Sequence, residues 1–522
     1  MGRIIIQNMS FSYADYYYPV FNNVNLNLDT SWKLGLIGRN GRGKTTFLRL
    51  LNEELIPNEG RIVKDITTNI FTSDGKWENG IIALNVIKEI MGGLYSLENQ
   101  LASCQNQTGS SDRFLALLEQ YEHSNGYQAE SKIKKEIYRM GLSADILMRK
   151  FSSLFGGEQS KILIIGETLR PDHFVLFDEP TNHLDTKGRE SIARYLSRKK
   201  GFIVVTHDRN FLDLTVDHIL AIHKTDITLE KGNYSSWLNN VQKKNEYEMT
   251  MKKKLEDQIG KMELTVAKKK DWADSLKGKK YSFRTNARSP DKREAKLRKN
   301  AKRTESNILN SINEKKKLLR NFEVVPEMNF RQQETEQPVL LSVKNLSFSY
   351  GGPRVLEGIS FVLNQGDRLW IRGNNGAGKT TLMQLLSGNL KGYSGTVWKN
   401  GEVQISMSTQ INAVENEKYT ELKDKASKDL LHQLLAEFDI SEEHLQRPLD
   451  TWSSGELHKF NIACALASPN HILLLDEPLN YMDVYFVEQF EKAILKIRPT
   501  MVFIEHDEQF GSEVHNKILE LL

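Results

Sequence analysis

Gly38-Arg39-Asn40-Gly41-Arg42-Gly43-Lys44-Thr45 and Gly373-Asn374-Asn375-Gly376-Ala377-Gly378-Lys379-Thr380 both carry the G-x-x-x-x-G-K-[ST] pattern of a phosphate loop, 335 residues apart on one chain. In such a loop successive backbone N–H groups turn inward and the following helix adds its positive end, so the main chain itself holds the phosphates. Gly38, Gly41 and Gly43, and Gly373, Gly376 and Gly378, let the backbone come close; Asn40, Thr46, Asn375 and Thr381 belong to the same loop-to-helix junctions. Lys44 and Lys379 are expected to reach the β- and γ-phosphates of ATP, and Thr45 and Thr380 to ligate Mg²⁺.

Working outward, each loop is followed by an apolar run that ends in Asp-Glu-Pro. Phe174 to Phe177 precede Asp178-Glu179-Pro180, and Ile472 to Leu475 precede Asp476-Glu477-Pro478. Each half then reaches a histidine just past a second apolar run, His207 in Val-Val-Thr-His-Asp and His506 in Phe-Ile-Glu-His-Asp. Asp178 and Asp476, at the ends of buried strands, are expected to hold the metal. Glu179 and Glu477 would orient or deprotonate the attacking water, and His207 and His506 would sense the γ-phosphate. The same elements in the same order, twice, describe an internal repeat, and Met9-Ser10-Phe11-Ser12-Tyr13 echoed by Leu346-Ser347-Phe348-Ser349-Tyr350 extends it to the first strand. Lys44 to Asp178 spans 134 residues, but Lys379 to Asp476 only 97. The extra length falls in an insert of about residues 86–130. There Leu94 to Cys104 and Arg113 to Tyr121 have apolar residues at helical spacing, with a polar turn from Asn106 to Asp112 between them.

Composition narrows the setting. The chain has 522 residues, 39% hydrophobic, with a mean hydropathy of −0.48. Its longest apolar runs are strand-length, short of the roughly 20 residues a membrane-spanning helix needs. The start, Met1 to Ile6, reads as leading straight into a strand without a signal-peptide pattern. Cys104 and Cys464 are the only cysteines, too few for a disulfide framework or a zinc site, so a reducing cytoplasm is the expected compartment. The formal net charge of +4 conceals a division: residues 241–320 hold 25 Lys+Arg against 11 Asp+Glu, a net of +14, leaving −10 on the rest. Such asymmetry suits a segment built to meet a polyanion.

That segment, residues 241–325, reads as a long antiparallel helical hairpin between an ATPase domain at 1–240 and a second at 326–522. Tyr247, Met251, Leu255, Ile259, Met262 and Val266 form one apolar stripe; a return helix opens at Ser289-Pro290, with Leu297, Ala301, Ile308, Ile312, Leu319 and Phe322 as its stripe. The tip, about 274–291, mixes Lys277, Lys279, Lys280, Arg284 and Arg288 with Tyr281 and Phe283. Cations neutralise phosphates and aromatic faces stack on unpaired bases, so this mixture points to RNA.

Two further stretches carry a family resemblance. Leu154-Phe155-Gly156-Gly157-Glu158 and Trp452-Ser453-Ser454-Gly455-Glu456, each 20 residues before its Asp-Glu pair, resemble the L-S-G-G-E/Q signature of ABC ATPases. Leu184-Asp185 and Met482-Asp483 are similar to that family's D-loops. The resemblance implies an α/β fold of two ABC-type P-loop ATPase domains in tandem, stacked head to tail. Each ATP would then lie between one phosphate loop and the opposite signature: Gly156, Gly157 and Glu158 for one site, Ser453, Gly455 and Glu456 for the other. It also implies adenine stacking on Tyr13 and Tyr350 and a metal contact from Gln410. Two cassettes with a charged hairpin between them resemble the ABC-F class. Trp32 to Lys44 and Asp476 to Asp483 look like its Lsa and Vga branches, which protect ribosomes from lincosamides, pleuromutilins and streptogramin A.

What that resemblance implies is a cytosolic ATPase that binds the bacterial 70S ribosome in its ATP state. Its linker would pass through the exit-tRNA site toward 23S rRNA at the peptidyl-transferase centre and the P-site tRNA. A translation factor for stalled or idle ribosomes shares every motif, and the ATPase subunit of an exporter is a more distant alternative. The chain also departs from the pattern. Phe155 replaces the signature serine, Ser454 the first signature glycine, and Ser73 the glutamine expected after Phe71-Thr72. These departures predict unequal turnover at the two sites.

Overall fold

In the computed structural model, alternate residues of the first strand are driven into the core. Ile4, Ile6, Met9 and Phe11 are buried while their neighbours face outward. The alternation skips a residue between Ile6 and Met9 because Asn8 adopts a left-handed backbone, φ 48°, and shifts the register. Domain two repeats the bulge at Asn345, also φ 48°. The structure describes residues 2–13, 19–71, 77–78, 80–105, 111–181, 184, 186–223, 226–244, 246, 250–251, 253–254, 258–259, 261–262, 328–333, 335–374, 376–408, 428–438, 440, 442–445, 447 and 451–521.

Domain one contains β1 (Arg3–Phe11), β2 (Phe21–Asp29), β3 (Lys33–Gly38), β4 (Glu59–Lys64), β5 (Thr67–Phe71), β6 (His173–Asp178), β7 (Phe202–Val205), β8 (His218–Ile222) and β9 (Ile227–Lys231). A three-stranded antiparallel sheet, β2-β1-β4, packs over a six-stranded sheet ordered β5-β6-β7-β3-β8-β9. The larger sheet is parallel except for β9. Its central strands read as unbroken apolar runs because both faces are covered; all four residues of β7 are buried. Domain two has β10 (Val339–Ser349), β11 (Arg354–Asn364), β12 (Arg368–Arg372), β13 (Ser394–Lys399), β14 (Ile405–Ser408), β15 (Ile472–Asp476), β16 (Met501–Ile504) and β17 (Lys517–Glu520). They form an antiparallel sheet β11-β10-β13 and an all-parallel sheet β14-β15-β16-β12-β17. The α/β class and the tandem repeat follow directly from these sheets. In both domains the phosphate loop leaves the carboxyl end of an interior strand, β3 or β12. Open α/β sheets bind ligands at that edge.

The insert of domain one holds helices at Ala83–Ile90, Leu94–Gln105, Ser111–His123 and Gly126–Arg139. The third begins at Ser111, inside the stretch read as a polar turn, and Asp112 in its first turn complements the helix dipole. Buried Lys88 clamps the group, donating to Glu98 at 3.0 Å and Glu130 at 2.9 Å, while the Tyr121 hydroxyl also reaches Glu98 at 3.0 Å. By its contacts the chain divides into one unit of residues 1–235 with 327–522, and a second of 236–326. The return helix from Ser289-Pro290 and the tip residues Lys277, Lys279, Lys280, Tyr281, Phe283, Arg284 and Arg288 lie outside the described residues. Among those described, no helix is long and apolar enough to cross a membrane.

Candidate nucleotide sites and the domain interface

The first phosphate loop needs its glycines for steric reasons. Gly41 and Gly43 have φ of 77° and 88°, and a Cβ on Gly43 would come within 2.5 Å of the Val20 side chain. Gly43 precedes the helix Lys44–Leu51, so the unpaired N–H groups of its first turn face the loop. Lys44 folds back over the loop, its Nζ donating to the Gly38 carbonyl at 2.8 Å and to Asn40 Oδ1 at 3.2 Å. Thr45 donates to Asp178 Oδ2 at 2.9 Å, joining the helix to the end of β6. Asn40, Gly41, Gly43, Lys44, Thr45 and Asp178, with Tyr13, Glu179 and His207, line a cavity of about 580 Å³. That lies within the ~300–1,000 Å³ range of small-ligand sites. The ring of Tyr13 packs edge-on against Phe11, and its hydroxyl lies 3.0 Å from Thr46 Oγ1.

The second loop repeats the backbone: Gly376 and Gly378 at φ 84° and 86°, and Lys379 Nζ donating to the carbonyls of Gly373 at 2.8 Å and Asn374 at 3.1 Å. Tyr350 stands 3.3 Å from Thr381 Oγ1. Asp476 is buried at the end of β15, with Thr380 beside its carboxylate. Asn375, Gln410, Ser73 and Asp185 lie outside the described residues.

Both candidate glutamates sit in a backbone conformation that side-chain-bearing residues rarely adopt. Glu179 has φ 50° and Glu477 φ 51°, each held by donating its N–H to the neighbouring strand, at Val205 and Ile504. Such strain costs of order 1–3 kcal/mol and concentrates at functional positions. His207 Nε2 lies 3.0 Å from Glu179 Oε1, and His506 Nε2 lies 3.4 Å from Glu477 Oε1. The electrostatics differ. Burial pushes the Glu179 carboxyl up to about 8, against the pull of Lys44, and pushes His207 down to about 3, helped by the Lys44 charge. Burial also works to raise Glu477, but the hydrogen bond and charge of His506, with Asn480, bring it below the ordinary value. Asp476 is raised to about 6 by burial, with Thr380 opposing.

The two ATPase domains meet at the first phosphate loop. Asn40 donates its backbone N–H to Asp483 Oδ2 at 3.0 Å and its side-chain amide to the Tyr481 carbonyl at 2.6 Å. Gly455 of the second signature packs beside Tyr481, since a Cβ there would lie 3.3 Å from it. The signature residues Gly156, Gly157 and Glu158 and Ser453, Gly455 and Glu456 do not line the cavity around Lys44; they open the helices Gly156–Leu169 and Ser454–Ala467. Ser453 caps its helix by accepting from the Glu456 N–H at 3.3 Å, while Glu456 accepts from the Ser453 N–H at 2.8 Å. Phe155 keeps only the second of these bonds, 3.1 Å to Glu158, and leaves its ring 77% exposed. Its φ and ψ of −66° and 151° match those of Ser453, so serine fits without strain. Phe155→Ser is therefore expected to stabilise domain one by about 1 kcal/mol. In thermal unfolding followed by circular dichroism that is a rise of about 2–4 °C, and no rise would contradict the capping account.

Sequence reasoning singled out neither Arg209 nor its partners. Arg209 is 1% exposed and bonds to Asp507 and Glu491 of the other domain. A local sign existed: Asp208 and Asp507 directly follow the two histidines and cap the next helices, a role aspartate favours.

Against known proteins, the family model described as ABC transporter matches residues 21–182 and 356–480. The chain is 26% identical to the uncharacterized ABC transporter ATP-binding protein YfmM of Bacillus subtilis, over 98% of this chain and 97% of that one. It is 25% identical to the ribosome protection protein VmlR of the same bacterium (99% and 86%). The energy-dependent translational throttle protein EttA of Haemophilus influenzae matches at 26% (96% and 89%). Among solved structures, the archaeal ribosome recycling factor in complex with a ribosomal stalk protein matches with a TM-score of 0.59 at 19% identity, over 98% of this chain and 87% of that one. That likeness speaks for the fold alone.

Proposed function

We propose, for a chain that belongs to the ABC transporter family and carries two of its ATP-hydrolysing domains, that it is a cytoplasmic ABC-F ATPase acting on the bacterial ribosome. In this reading it binds the ribosome in the ATP state and leaves after hydrolysis. Its linker enters through the exit-tRNA site, touching 23S rRNA and the P-site tRNA, and protects the peptidyl-transferase centre from lincosamides, pleuromutilins and streptogramin A. The observation that carries the reading is the net +14 on residues 241–320, set between two ATPase domains in a chain whose full-length relatives include a ribosome protection protein. Counter-ion release from RNA would make that binding strong and salt-dependent.

At each site the backbone N–H groups and Lys44 or Lys379 bind the triphosphate, with Tyr13 and Tyr350 on the adenine. Glu179 and Glu477 accept the proton of the attacking water, and His207 and His506, beside those carboxylates, sense the γ-phosphate. The second signature, Ser453, Gly455 and Glu456, completes the Lys44 site, and Gly156, Gly157 and Glu158 the Lys379 site. Thr45 with Asp178, and Thr380 with Asp476 and Gln410, would hold Mg²⁺. The buried carboxylate of Asp476 and the all-oxygen donor set suit that hard cation. When bound, the ion neutralises charge on the phosphate oxygens.

A second reading, a factor for stalled or idle ribosomes without a drug role, is favoured by the equally similar throttle protein. Cell-free bacterial translation separates the two. Purified protein is titrated against one drug of each class, with the Glu179→Gln/Glu477→Gln variant as control. Rescue by the native chain and not by the variant is the expected result. No rescue under any drug, with the variant blocking synthesis, would assign the second reading instead.

A further inference from the structure

One side chain joins the two histidine loops across the domain interface. Arg209, two residues after His207, donates from Nε to Asp507 Oδ2 at 3.3 Å and from Nη1 to Glu491 Oε2 at 3.1 Å. Asp507 follows His506 directly and accepts from the Phe510 N–H at 2.9 Å, capping the helix Glu508–Val514. Its counterpart Asp208 caps the helix Arg209–Thr215 through the Phe211 N–H at 2.9 Å and is paired with Arg189 at 3.4 Å. Burial raises Asp208 above the usual carboxylate range, with Arg189 opposing and the charge of Asp507 adding to the rise. A buried carboxylate needs a compensating cation, and for Asp507 that cation, Arg209, comes from the other domain. The device is one-sided. Glu508 occupies the matching position in domain two and pairs with Arg372 of its own domain.

We infer that Arg209 is a positioning residue that couples the two nucleotide sites, by holding the histidine loop of one against the histidine loop of the other. Parting of the domains breaks both bonds at once, so each site biases a contact the other also depends on. A shared two-state element of this kind is what site-to-site coupling requires. Arg209 acts through Asp507 and the backbone it shares with His207, and it does not line the cavity around Lys44. The inference rests on the reading of both sites as hydrolytic.

The test compares phosphate release by the full chain, by Glu179→Gln and by Glu477→Gln, each with and without Arg209→Ala. Coupled sites silence one another, so in the native background the two single-block rates should sum to less than about a tenth of the unblocked rate. With Arg209→Ala they should sum to within about twofold of that variant's own unblocked rate, as independent sites do. A merely structural arginine would lower all three rates by one factor and leave the ratio unchanged, and that outcome overturns the inference. So does a native sum that already equals the unblocked rate. If Arg209→Ala does not fold, Asp507→Asn is read the same way; asparagine keeps the helix cap and removes the charge. A native chain with no hydrolysis at all would sink the hydrolytic reading itself, a result distinct from uncoupled turnover.

Discussion

The double variant Glu179→Gln/Glu477→Gln loses phosphate release by about 10²–10⁴-fold while still binding ATP, which is the span that removal of a general base produces. Glutamine has the shape of glutamate but accepts no proton, so the change is confined to the chemical step. Binding should persist because Lys44 and Lys379 are held by hydrogen bonds to their own loops rather than to either glutamate. The paired measurements are phosphate release and equilibrium binding of a fluorescent ATP analogue. A variant that keeps more than about a tenth of the native rate would remove both glutamates from the role of base. Loss of binding would instead show that the two carboxylates help to hold the nucleotide.

The two sites are expected to answer differently to pH. A general base works when deprotonated, so its rate rises with pH and levels off above its pKa. Glu179 is pushed up to about 8, and Glu477 lies below the ordinary carboxylate value. In the Glu477→Gln variant only Glu179 remains, and kcat/KM, which reports the free enzyme, should climb roughly twentyfold from pH 6.5 to 8.5. In Glu179→Gln the remaining Glu477 is ionised throughout that interval, so its limb is already flat. One shared profile for the two single variants would refute the difference.

Much of the fold was legible because buried parallel strands and phosphate loops leave local marks. Phe174 to Phe177 and Ile472 to Leu475 read as apolar runs and lie in β6 and β15. The loop glycines are needed for positive φ, which only the backbone demands. Leu94 to Cys104 was visible from its period alone, and the helix there runs Leu94–Gln105. Other features left no local mark. The left-handed backbone at Glu179 and Glu477 falls on a residue type that gives no hint of it. Arg209 meets partners 298 and 282 positions away, beyond the range of any pattern in a window of sequence.

The amino-acid order by itself determined that there are two ATPase domains, where each phosphate loop starts and which carboxylates end the strands beside it, because periodicity, glycine and strand length are short-range properties. Only the tertiary structure decided what those residues experience. The same Asp-Glu pair meets different burial and different donors in the two halves, so one glutamate is driven toward its neutral form and the other held as an anion. Desolvation and charge depend on what the folded chain brings near, and that is why identical motifs became unlike sites joined through one buried arginine.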